Sequence, residues 1–100
     1  CVIEREENNS YVREGPGSVA NHWIGVSVPG RYRGVDSLGR YEVMEACRDN
    51  ARDNFSWVQP PILNWSTRLA VVANAQRGLL MVQGLEAYGF ATQVFYCDRE

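Results

Sequence analysis

Lysine is missing altogether. All ten basic residues are arginines, set against twelve acidic residues in a chain of 100, for a formal charge of -2. A balance so near neutrality raises no long-range field that would recruit nucleic acid or an anionic membrane. General nucleic-acid binding is therefore not expected. Long apolar runs are missing too: Leu69 to Ala73 and Leu79 to Val82 are the longest, far short of the ~20 residues that cross a bilayer. No charged segment followed by an apolar one marks a signal peptide, so the chain reads as mature, with any such peptide already removed. Histidine occurs once, at His22, and any Ser-His-Asp or Cys-His device would have to use it. H-E-x-x-H, G-x-S-x-G, Walker and acidic metal-loop patterns do not occur. No cofactor or metal is expected, and enzymatic activity is disfavoured.

What is present suits one small globular domain over residues 1–100, with 1–17 as a tether or peripheral hairpin. The sequence is 45% hydrophobic and 22% charged. Folding at this length removes roughly two-thirds of the unfolded surface from water, which leaves little margin of stability. A covalent staple would help. Cys1, Cys47 and Cys97 lack the C-x-x-C spacing of zinc or redox sites. The favoured pairing is Cys47 to Cys97, tying an expected helix to the last expected strand. Closing a loop of about 50 residues contributes about 4 kcal/mol in the chain-entropy account, and a disulfide points to a secreted, periplasmic or envelope location. The competing reading is two ordinary buried thiols. Cys1 is then left over. A first-position cysteine followed by the polar stretch Glu4 to Asn9 resembles mature bacterial lipoproteins, which implies a lipid anchor at Cys1. A Cys1 disulfide or a cut chain start accounts for the same residue. The absence of lysine fits an arginine-rich genome, and is also similar to the lysine-poor chains of some toxins that enter host cells.

Patterning predicts two short strands, Cys1 to Arg5 and Tyr11 to Glu14, around a polar turn, and a further strand over His22 to Val28. Met44, Cys47, Ala51, Phe55 and Val58 then fall on one helical face, with Asp36 or Ser37 as N-cap. Glu42, Glu45, Arg48, Asp49, Arg52 and Asp53 form its wet side. Arg68 to Ala73 reads as a buried strand, Ala75 to Leu85 as a helix stopped at Gly89, and Phe90 to Cys97 as a strand. One long helix from Thr67 to Tyr88 competes with that reading. The sum is an α+β two-layer sandwich, two helices on a mostly antiparallel sheet of about four strands, with a ferredoxin-like split βαβ as the leading topology. Ala75 to Phe95, with Tyr88-Gly89-Phe90 and Ala91-Thr92-Gln93-Val94, resembles the second half of the SPOR peptidoglycan-binding module. That pattern of helix, glycine and strand is shared by many ferredoxin-like domains. The architecture is also similar to small secreted killer toxins and fungal effectors, which usually carry more cysteines.

Candidate contact residues cluster in Gly30-Arg31-Tyr32-Arg33-Gly34, echoed by Arg40 and Tyr41. Arginine offers a planar, permanently charged fork and tyrosine a rigid amphipathic face, residue types enriched where proteins bind one another. Trp57 and Trp65 bracket Pro60-Pro61. They either seal the core or leave an apolar contact patch, in which Trp65 would take part. Asn8, Asn54 and Asn64 match the glycosylation acceptor pattern. The expected function is a small secreted or envelope-facing binding protein of the inhibitor, effector or toxin-subunit kind. Its Arg31, Tyr32 and Arg33 loop would meet a protein or carbohydrate partner. The alternatives are a glycan-binding cell-wall module and a small hydrolase using His22.

Overall fold

Short strands punctuated by turns dominate the computed structural model, which describes residues 1–27 and 30–98. The chain divides into two compact units, Cys1–Asn50 and Ala51–Glu100. In the first, β1 (Val2–Arg5) and β2 (Ser10–Arg13) pair antiparallel with Ile3 opposite Val12. The Glu6 carboxylate closes the turn by accepting from Asn8 N and Asn9 Nδ2. Then comes a long irregular stretch, ended by α1 (Ser37–Cys47) and a 3-10 turn over Arg48–Asn50. Asp36 is the N-cap: it takes a left-handed conformation (φ 43°) and its Oδ1 accepts from Gly39 N at 3.0 Å, satisfying one of the amides a helix start leaves open.

The second unit is an antiparallel meander. β3 (Leu69–Asn74) pairs with β4 (Leu79–Glu86) with Val71 opposite Val82. Gly78 supplies the positive φ of 64° that their connecting turn requires. β5 (Gly89–Phe90) and β6 (Phe95–Asp98) both pair with β4, interrupted at 91–94. There the amides of Ala91 and Thr92 both reach Gly84 O, the arrangement of a bulged strand. One sheet face, with Ala70 and Leu85 buried, packs under Val58, Phe55, Trp57 and Leu63. Leu69, Val71, Leu80 and Phe95 on the opposite face remain exposed.

The sandwich of two helices on one sheet is thus not what forms: among the described residues there is one short helix, and there are two sheets, of two and four strands. The expected helix over Ala75 to Leu85, including the segment likened to SPOR, is a hairpin turn and strand β4. Leu79, Val82 and Leu85 fit a helical period. Burial instead falls on Met81, Gln83 and Leu85, the alternation of a strand. The first helix stops near Asn50 rather than reaching Val58. Beyond it the Asn54 side chain accepts from Ser56 N and Oγ, a local turn that competes with helix. His22 to Ser27 is loop rather than strand, and Val28 lies outside the described residues. No disulfide joins any two of Cys1, Cys47 and Cys97. Cys47 ends α1 in the first unit and Cys97 lies in β6 of the second. The expected Cys47–Cys97 disulfide does not form, so no cross-link points to an extracytosolic setting. Among the described residues, no helix is long and apolar enough to cross a membrane.

Candidate functional site

A cleft of about 760 Å³ opens in the first unit between β1 and the loops that precede α1. Arg31, Tyr32 and Arg33 lie along it with His22, Trp23 and Arg5. Because the loops carry no regular ladder, side chains hold them in place.

Three such braces are evident. The buried Glu4 carboxylate, projecting from β1, accepts from the amides of Ile24, Gly25 and Val26, with Gly25 N at 2.6 Å. Burial by itself raises the pKa of this carboxyl. The three amides and the Arg13 guanidinium 3.8 Å away outweigh it and leave the pKa below its ordinary value. Gly25 is needed there, since a Cβ at that position would run into the Tyr11 ring. Next, the buried Ser37 hydroxyl accepts from Asn21 N at 2.7 Å and lies 2.7 Å from His22 Nδ1. Finally, Arg40 Nε donates to Val35 O at 2.6 Å while Nη2 reaches Asn21 Oδ1 and Arg33 O. The loop thereby closes onto residue 21, where Arg33 N also bonds Asn21 O.

These braces sort the candidate residues. Arg40 is committed to loop backbone, so it supports the site rather than reaching into it. Tyr41 is half-buried, its ring edge-on to His22 with centroids 5.6 Å apart. Tyr32 stacks on the other face of the contact set, 4.5 Å from the imidazole and inclined by 22°. Tyr32 is nonetheless 56% exposed and lines the cleft. Arg31 and Arg33 are exposed, and their guanidinium groups make no ion pair with any described residue. Trp65 belongs to the second unit, on the loop before β3, with its ring 62% exposed. Trp57 is half-buried and donates Nε1 to Asn54 O. Glu4, Asn21, Trp23 and Ser37 were not legible as site residues. Only the placing of a carboxylate inside the apolar alternation Val2, Ile3, Glu4 hints at an inward role.

His22 and Ser37 do meet at hydrogen-bonding distance, the geometry a small hydrolase would need. The hydroxyl, however, is 3% exposed and does not line the cleft. It holds two loop groups instead of facing a substrate. Among the described residues no three His, Cys, Asp or Glu side chains converge as metal ligands would. Asn64 has its amide nitrogen bonded to Pro61 O and Ile62 O and is buried, which makes it a turn-forming residue in the fold rather than an open glycan acceptor. No protein-family model, curated protein sequence or solved structure matches this chain.

Proposed function

We propose that the chain is a non-enzymatic binding protein whose cleft grips an acidic segment of a protein partner. The observation that carries this reading is an imbalance of charge inside one cleft. Arg5, Arg31 and Arg33 line it without acidic partners, while the one carboxylate in the lining, Glu4, is already taken by three backbone amides. An incoming carboxylate would meet two guanidinium forks and an exposed, stacked tyrosine. Charge-assisted bonds of that kind are about twice as strong as neutral ones, and the aromatic face suits a planar or apolar neighbour.

A glutamate–tyrosine copolymer is the probe, with Trp23 fluorescence as readout. Binding should be saturable and weaken as salt rises. Replacing both Arg31 and Arg33 by alanine should reduce it at least tenfold. Equal binding by that double variant, or equal binding of polylysine by the original protein, sinks the proposal. A second reading, glycan binding, draws on the exposed Trp65 ring, since flat aromatic faces stack on sugars. Retention on insoluble polysaccharide that disappears with Trp65→Ala would favour it instead.

A further inference from the structure

We infer that the second unit self-associates, the outer edge of β3 pairing antiparallel with β3 of a second copy about a two-fold axis at Val71. This concerns a different surface from the cleft and does not depend on it.

The phase of the sheet fixes which groups are available. Leu85 N donates to Arg68 O at 3.0 Å, so Arg68, Ala70, Val72 and Asn74 direct their peptide groups toward β4. In an antiparallel pair the alternate residues direct theirs the other way. Leu69, Val71 and Ala73 therefore point N–H and C=O off the open edge. No described residue makes a hydrogen bond to them there. Sheet edges are usually guarded by charge, proline or a bulge. β3 carries none of these: its sequence is Leu-Ala-Val-Val-Ala-Asn. The opposite edge is broken by the interruption at 91–94.

A second copy fits this edge because the strand complements itself. With Val71 opposite Val71 of the partner copy, Leu69 falls opposite Ala73, and every outward peptide group finds a partner, two bonds at each of three opposed pairs. The side chains of these residues share the exposed apolar face, where Leu69 is 61% exposed, so pairing extends one apolar surface across the axis. The same register sets Arg68 opposite Asn74 of the other copy. Asn74 Nδ2 holds the Asp53 carboxylate at 3.1 Å beside the Arg77 guanidinium that already pairs with it, and Arg68 donates to Trp65 O and Thr67 O. Arg68 thus faces a neutral amide at both ends of the pairing, and no like charges are directly opposed. Two six-residue strands and their flanks cover on the order of 800 Å² in total, the size of a weak, reversible contact.

Sedimentation of the full chain from about 1 to about 300 μM should show a monomer passing to a dimer. Val71→Pro deletes the outward N–H while keeping every bond to β4, as proline on an edge strand can. Val71→Lys keeps the N–H but opposes two cations at the axis. Both should abolish the dimer with an unchanged circular dichroism spectrum. Register is read by cross-linking. Opposed Cα atoms there lie about 5.5 Å apart, within disulfide reach. Val71→Cys should therefore give a dimer cross-link at that position under mild oxidation, and Val72→Cys should not. A monomer throughout the range, a dimer untouched by both Val71 variants, or cross-linking at position 72 alone overturns the inference. So does a chain that stays monomeric yet captures a foreign strand peptide.

Discussion

The carboxylate of Glu4 holds the amide of Gly25 at 2.6 Å, and the flanking amides of Ile24 and Val26 converge on the same two oxygens. A loop with no ladder of its own is thereby anchored to β1 through one side chain. This anchor decides whether the wall of the cleft exists.

It follows that the first unit should loosen in acid. The folded chain keeps Glu4 ionised to lower pH than the unfolded chain does, so between the two pKa values the unfolded state binds more protons. The stabilisation is complete above the ordinary carboxylate range and is lost as pH falls through the lowered folded value. The protection of the amides at residues 24–26, corrected for intrinsic exchange at each pH, should fall in that window before the sheet of the second unit responds. Glu4→Gln should remove this pH dependence and cost roughly 1–3 kcal/mol, the range for stripping partners from buried amides. Identical protection factors at pH 3 and pH 6 would refute the anchor.

The contact between Ser37 and His22 permits a choice between brace and nucleophile. As a brace, Ser37→Ala leaves the Asn21 amide and the imidazole nitrogen without their partner, at a cost of roughly 1–3 kcal/mol measured by urea unfolding. A fluorophosphonate probe should leave Ser37 unlabelled, because the hydroxyl is buried and already bonded on both sides. Labelling at Ser37, abolished by His22→Ala, would restore the hydrolase reading.

How much of this was legible depends on whether neighbours in sequence settled the matter. The β1–β2 hairpin and β3 fell where local pattern put them, because a polar turn or a Val-rich run is enough. The N-cap at Asp36 was equally local. Residues 79–85 were not, since Leu79, Val82 and Leu85 satisfy a helical period as well as a strand's. Gln83 is polar, and no local spacing marks it as inward-facing. It is buried because its amide reaches Thr92 O, a partner nine residues away. Phe55 and Val58 were read as a helical face. They do pack on the core with Ala70 and Leu85, but from turns set by Asn54. At the cleft, Gly30-Arg31-Tyr32-Arg33-Gly34 announced an exposed cationic loop. Glu4 and Ser37 act on chain segments fifteen or more residues distant, and their roles come from tertiary approach that no local spacing records.

The turn between β4 and β5 carries strain that can be relieved. Ala87 and Tyr88 occupy φ of 50° and 68°, the two positive values of a type I′ hairpin. Side chains other than glycine, asparagine and aspartate pay about 1 kcal/mol or more in that region. Ala87→Asn with Tyr88→Gly supplies the residues this turn prefers. Tyr88 is exposed, so little packing is lost, although glycine gives back part of the gain through the unfolded chain. The pair should stabilise the second unit by about 1 kcal/mol, which for a domain of this size raises Tm by roughly 4–8 °C. The gain should appear in the β4–β5 amides by hydrogen exchange, with residues 1–50 unaffected. A fall in Tm would mean that the Tyr88 ring makes a contact worth more than the strain.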